Sequence, residues 1–285
     1  MLDAKHKCSY SEGMNKLPLQ KRAQILHLLC EGNSLRGTAR LADVAYNSVL
    51  KLSAQAGKAC DVYQSKVMVN LPCKKLQLDE IWSFVGSKAK NTPPEKRAEA
   101  GDVWTWVAID ADTKLVPTWC IGGRDSGAAK QFVTDLAGRL ANRVQITSDG
   151  HKPYLEAVEG AFGSDVDYAM LVKIYGETVE GQKRYSPAEC LGAKKETVMG
   201  EPDPCCISTS FVERQNLTMR MSIRRFTRLT NAFSKKIENH GHAVALHFMH
   251  YNFARIHQSL RVTPAMAAGI SDHIWDMEEV AKLIS

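Results

Sequence analysis

The sequence predicts an α/β domain preceded by an all-α helix-turn-helix module. Three observations lead there: apolar residues recur at helical spacing through the first sixty residues, β-forming runs take over after Pro72, and those runs then alternate with helical patterns up to a closing basic helix.

The N-terminal module comes first. Leu19, Ala23, Leu26 and Leu29 mark one helix, which ends at Gly32. Ser34 caps a second, with Leu35, Ala39 and Ala42 inward, and the turn Asp43-Val44-Ala45 leads to a third with Val49, Leu50 and Ala54 inward. Two short helices joined by a tight turn behind a supporting helix match helix-turn-helix spacing. In that reading the third helix presents Tyr46, Asn47, Ser48 and Lys51 to a major groove, while Arg36 and Arg40 touch phosphate. A plain three-helix packing module fits the same pattern. The module is assigned to residues 1–65.

Strands follow at 75–85 (KLQLDEIWSFV) and 103–110 (VWTWVAID), separated by a charged loop, 88–102, that holds Pro93-Pro94. Asp110-Ala111-Asp112 turns into a third strand at 114–121. A helix at 126–142, a strand at 144–148, a helix at 151–162 and a strand at 168–175 come next. The stretch 176–206 has three prolines, mixed charge and little periodicity, and is read as an insertion before the last core helix, which starts near Ser210. A long helix at 235–256 completes a domain assigned to 72–269, and 270–285 is a C-terminal helical tail.

Composition narrows the class. With 285 residues and a 44% apolar fraction, the chain is an ordinary globular protein with room for a small module and a large core. No apolar run approaches the roughly 18 residues of a membrane span, and no secretory signal is apparent, so a cytoplasmic protein without a membrane partner is expected. The eight cysteines contain no C-x-x-C pair, and Cys205 and Cys206 are adjacent, which favours reduced thiols over zinc or disulfides. The net charge of +6 is unevenly spread: residues 206–265 hold nine Lys or Arg against only Glu213 and Glu238. Such a segment suits a polyanion, although a solvated basic face would look the same.

Three acids stand where phosphoryl-transfer chemistry would want them. Strand alternation puts Gln77, Asp79 and Ile81 on one face and Leu78, Glu80 and Trp82 on the other, so either acid could line a site. Asp149 ends a strand just before Gly150, at the edge where α/β folds place ligands, and Glu213 lies in the first turn of its helix. Two Mg²⁺ ions held by a few carboxylates activate a water or hydroxyl and neutralise phosphate oxygens. Each acid also has a plain structural reading: Asp149-Gly150 as a turn, Ser210 to Glu213 as a capping box, Asp79 as a polar-face residue. Glu213, Asn216, Arg220 and Arg224 form one polar stripe on their helix, with Arg220 two turns beyond the acid.

The strings LDEIWSFV, SDGHKPY, STSFVERQNLTMR and YNFARIHQSLRVTPAMAAGI resemble those of bacterial insertion-sequence transposases of the Asp-Asp-Glu type, in particular the family of the first-described insertion sequence. The resemblance runs from the helix-turn-helix to Gly269. It implies a ribonuclease H-like catalytic domain. It also implies that Asp79, rather than Glu80, joins Asp149 and Glu213 as catalytic and metal-binding acids, with Arg220 as the basic residue seven positions after the glutamate. The expected cofactor is Mg²⁺ as two ions, with Mn²⁺ a possible substitute. Expected partners are double-stranded DNA, as transposon ends and target, and further copies of the chain in a homodimer or larger assembly associated with the bacterial nucleoid. Asn216, Arg224, Arg225 and Arg228 are the expected DNA contacts of the basic segment. His257 matches a C-terminal signature of many transposases and also reads as a packing residue. Some family members carry an N-terminal zinc finger with paired cysteines, which Cys8 alone does not make. His240, His242, His247 and His250 suggest zinc as one reading, while His247 and His250 also read as ordinary residues of a long helix. Two rival functions stay open: a non-catalytic DNA-binding regulator, and a ribonuclease H-class nuclease that cuts without strand transfer.

Overall fold

The computed structural model describes residues 16–96, 99–176, 188–227 and 230–284. Three helices open the chain: α1 (Leu19–Cys30), α2 (Leu35–Leu41) and α3 (Tyr46–Val67). Gly32 ends α1 with φ of 79°, and a Cβ there would lie 2.7 Å from the Met221 carbonyl oxygen, so both conformation and proximity demand glycine. The Ser34 hydroxyl caps α2 by accepting from the Gly37 amide at 3.0 Å. Val49 is buried as expected, whereas Leu50 and Ala54 are only half-buried, because α3 turns Leu52, Ala56, Gly57 and Cys60 inward along its whole length.

A six-stranded mixed sheet forms the centre. In chain order its strands are β1 (Lys75–Val85), β2 (Gly101–Asp110), β3 (Trp119–Gly122), β4 (Val144–Asp149), β5 (Val166–Tyr175) and β6 (Cys190–Met199), arranged β3-β2-β1-β4-β5-β6. The β1–β4 and β4–β5 pairs are parallel; the rest are antiparallel. Helices α4 (Ser126–Arg139) and α5 (Pro153–Phe162) lie on one face, over Leu76, Leu78, Trp106 and Ala108. On the opposite face Ile81, Val107 and Ile109 pack under α6 (Ser210–Ser222) and α7 (Ile237–Met249). The period-2 alternation of β1 and β2 is what allows one strand to feed two cores.

Several sequence expectations are corrected. The third strand is shorter than 114–121, because the Asn252 side chain takes both backbone groups of Val116, accepting from its N–H at 3.0 Å and donating to its carbonyl at 3.0 Å. The helix expected at 235–256 is α7 followed by a π-helical turn, His250–Ala254. The 176–206 stretch contributes β6, which extends the sheet beside β5; residues 177–187 lie outside those described.

The N-terminal helices are seated on the sheet domain. Gly57 of α3 crosses α7 so closely that a Cβ would sit 2.2 Å from the His242 carbonyl oxygen, and Gln64 donates to the Ala245 carbonyl at 3.0 Å. The last helices are α8 (Pro264–Ala267) and α9 (Met277–Lys282). The Arg22 guanidinium of α1 donates to the Ala281 carbonyl at 3.1 Å, which ties α1 to α9. Among the described residues no helix is long and apolar enough to cross a membrane.

Candidate functional site

The parallel register of β1 and β4 pairs Leu78 with Ser148, so Asp79 and Asp149 follow side by side at the carboxyl edge of the two central strands. This is where an α/β sheet leaves strand ends open to ligands. Carboxylate oxygens of Asp79, Glu80 and Asp149 all lie within 4.8 Å of one another. The sheet thus gathers both of the acids that alternation left open, one from each face.

The two neighbours are held differently. Asp79 faces α6, where its Oδ2 accepts from Asn216 Nδ2 at 2.8 Å and its Oδ1 from the Glu80 amide at 2.8 Å. Glu80 points to the other face, with its side chain 1% exposed; Oε1 accepts from Arg124 Nε at 2.6 Å and Oε2 from the Tyr154 hydroxyl at 3.2 Å. Asp149 is more open, accepting from the His151 amide at 3.0 Å, with Arg124 3.9 Å from its second oxygen. Burial, then the charges of Glu80 and Asp149, push Asp79 up to about 7, against the hydrogen bonds it accepts. Burial and Asp149 also raise Glu80, and Arg124 only partly opposes them. Three carboxylates and one arginine form a cluster short of positive charge.

Glu213 reaches the edge of this cluster from α6 without joining it. Its Oε2 pairs with Lys173 Nζ of β5 at 2.5 Å, and its Oε1 accepts from the Thr209 hydroxyl. Burial, the largest single effect, pulls the Lys173 ammonium down, but the hydrogen bond and charge of Glu213 together with the nearby Tyr175 and Asp79 leave it above its ordinary value. The capping box suggested by Ser210 to Glu213 does not form. Instead Gln77 Oε1, on β1, accepts from the amides of Phe211 at 2.8 Å and Val212 at 3.2 Å, capping α6 from the sheet. The same strand that carries Asp79 therefore fixes the helix that carries Glu213 and Asn216.

Gln77, Arg124, Tyr154 and Lys173 were not singled out in the sequence. Gln77 carried a usable signal, a polar residue two positions before Asp79 on the same face of the strand; the other three come together only through the fold. The remaining expected residues divide. Arg36, Arg40, Tyr46, Asn47 and Lys51 are exposed on α2 and the start of α3, and Ser48 is half-buried. Arg220 is half-buried on the α6 stripe, and Arg224 is exposed just beyond that helix. Two residues expected to face DNA are engaged inside the protein: Asn216 on Asp79, and Arg225, whose guanidinium donates to the Ser234 hydroxyl at 2.6 Å. Burial lowers Arg225 to about 10. Arg228 lies outside the described residues.

On another side of α6 a cavity of about 410 Å³ is lined by Lys114, Phe211, Arg214, Tyr251, Arg255 and His257, among others. Its described lining holds three fixed cations and no carboxylate. Lys114 Nζ stands 3.6 Å from the centre of the Phe211 ring, a cation–π contact. Burial, then Lys114 and Arg255, lower His257.

Compared with known proteins, no family model matches the chain. It is 27% identical over 164 residues to "Insertion element iso-IS1n protein InsB" of Shigella dysenteriae, a match covering 58% of this chain and 86% of the relative. Among solved structures, a piggyBac transposase synaptic complex with hairpin DNA aligns with 94% of this chain and 70% of its own, at 11% identity and a TM-score of 0.40. A Mos1 transposase paired-end complex with the left transposon end aligns over 55% and 60%, at 15% identity and a TM-score of 0.24.

Proposed function

We propose that the protein is a DNA transposase of the Asp-Asp-Glu type, with a ribonuclease H-like catalytic domain, that cleaves at insertion-sequence ends and joins the 3′-hydroxyl to target DNA. One observation carries the reading: Asp79 and Asp149 stand together at the carboxyl edge of adjoining parallel strands, with the Glu213 helix capped onto the same strand. The similarity to the insertion-element protein of Shigella dysenteriae supports it.

The donor set is all carboxylate oxygen and short of positive charge, which suits a hard divalent cation. The buried Asn216 Oδ1 also has no hydrogen-bond partner there. In this reading Asp79, Asp149 and Glu213 hold Mg²⁺, which when bound activates the attacking water or hydroxyl and offsets charge on the phosphate. The protein's own groups prepare that geometry. Asn216 orients the Asp79 carboxylate, Gln77 fixes the start of α6, and Lys173 holds Glu213 until the centre is assembled. Arg220 and the basic cavity beside α6 bind the DNA backbone, and α2 with α3 acts as the helix-turn-helix that reads the terminal repeats, through Arg36, Arg40, Tyr46, Asn47, Ser48 and Lys51. Two copies of the chain would hold two ends together.

The test incubates purified protein with labelled element ends, Mg²⁺ and plasmid target. Joined product should form, and should vanish in Asp79→Asn, Asp149→Asn and Glu213→Gln. Joining that survives these substitutions sinks the site assignment. Cutting without joining favours a nuclease, and end binding without either favours a regulator.

A further inference from the structure

Far from the acidic centre, α1 presents His27 and Glu31 one turn apart toward His250, the first residue of the π-helical turn that follows α7. The three side chains offer one imidazole nitrogen each from the histidines and a carboxylate oxygen, all within 4.8 Å of one another. We propose that His27, Glu31 and His250 form a second metal site, of the zinc class, that clips the N-terminal helices to the sheet domain.

The chemistry of the donors sets the class. Two imidazoles and one carboxylate, with a fourth position open to water, suit Zn²⁺ and disfavour Mg²⁺, which prefers oxygen. Donors on a tetrahedral zinc, with bonds of about 2.0–2.1 Å, stand roughly 3.4 Å apart. His27 Nε2 and Glu31 Oε1 already approach to 3.8 Å, and both side chains are well exposed and free to turn. His250 is the fixed ligand: it is 8% exposed and held on the turn that follows α7.

Two features of the backbone agree with this. His27 lies in the last turn of α1 and Glu31 is its C-cap, at the negative end of the helix dipole, where a cation is favoured. The turn that carries His250 is π-helical, a local widening that is found frequently at functional sites. The site also bridges segments more than two hundred residues apart, next to the Arg22–Ala281 tie between α1 and α9. Metal bound there would hold the N-terminal helices on α7 and stabilise the folded chain by mass action.

The experiment titrates full-length protein with Zn²⁺ in buffer saturated with Mg²⁺, which occupies hard oxygen sites, and repeats it with Co²⁺ for its ligand-field spectrum. One equivalent of Zn²⁺ should bind, the thermal midpoint should rise, and Asp149→Asn should retain both effects. His27→Ala and Glu31→Gln, at exposed positions that leave folding intact, should each weaken binding by at least the ~10–100-fold that loss of an outer partner causes. Absence of Mg²⁺-resistant Zn²⁺ binding overturns the proposal. So does wild-type affinity in both variants, or a thiolate-to-cobalt charge-transfer band, which would place the ion on cysteine. None of these outcomes depends on transposase activity.

Discussion

Strand β1 carries two buried polar clusters that resolve their electrostatics in opposite ways. At Asp79 and Glu80, three carboxylates crowd together with one arginine, and Asn216 keeps an unpartnered oxygen. Three residues further along, Ser83 hydrogen-bonds His240 Nε2 at 3.1 Å, His240 Nδ1 meets the Ser234 hydroxyl at 3.3 Å, and Arg225 donates to that hydroxyl. Both nitrogens of the fully buried His240 are satisfied. The second cluster is finished and holds the strand to α7. The first is held in place but left unsatisfied, as expected where a cation and a substrate are to complete it.

The sharpest way to break this contrast is to remove one charge from the acidic cluster. Asp79→Asn should cut strand joining by at least ~10³-fold, the scale of losing an essential catalytic group. It should also leave stability in metal-free buffer unchanged or raise it by about 1–2 kcal/mol, since like-charge crowding is relieved. Urea melts alongside the joining assay read both. A variant that loses activity because it unfolds would show that Asp79 belongs with the structural cluster.

His240→Ala should do the reverse, costing about 3 kcal/mol by removing the bridge between Ser83 and Ser234 and opening space beside Phe226. Joining by the fraction that remains folded should persist. Equilibrium unfolding monitored with the activity of the folded fraction separates the two effects.

Acid should find the finished cluster first. Burial, then Arg225, lower His240 to about 4, and burial, then His250 and Arg255, lower His247 to about 3. Both lie below the ordinary 6.5, so between those values the unfolded chain binds more protons and stability falls as pH falls. From pH 7 to pH 5 each histidine should cost about 2 kcal/mol. Urea midpoints at the two pH values measure it, and His240→Gln should remove about 2 kcal/mol of the loss on the acid side. A pH dependence left unchanged by His240→Gln would mean that this imidazole is not held neutral; the total profile also carries Asp79, which is raised to about 7 and gains stability as pH falls over the same range.

How much of this was legible in the sequence depended on range. Period-2 alternation in 75–85 put Asp79 and Glu80 on opposite faces, and the structure keeps them there. The Ser34 cap and the stop at Gly32 were also readable, because such signals are local. The 114–121 stretch misled, because its strand-like residues are taken up by Asn252, more than a hundred positions away. Lys173 and Arg124 were invisible for the same reason: only the sheet order brings β5 and the start of α4 to the acids. Choosing between Asp79 and Glu80 needed the family resemblance. The structure adds a physical difference, since Glu80 is held by Arg124 and Tyr154 while Asp79 faces Asn216 and the Glu213 helix.

Gln77 joins the two halves of the comparison, because it is a buried group whose oxygen accepts from two amides of α6 and whose task is to position an unsatisfied site. Its single oxygen serves the first amides of α6, which no Thr209 or Ser210 side chain caps. Gln77→Ala should therefore cost about 1–2 kcal/mol in stability, the range of a lost helix cap, and loosen the start of the helix that carries Glu213 and Asn216. If Gln77 positions the site, the Mg²⁺ concentration for half-maximal joining should rise several-fold, and amide hydrogen exchange should quicken in the first turn of α6. If only the melt changes and the Mg²⁺ dependence stays put, Gln77 is a cap and nothing more, and the coupling between β1 and Glu213 is lost from the argument.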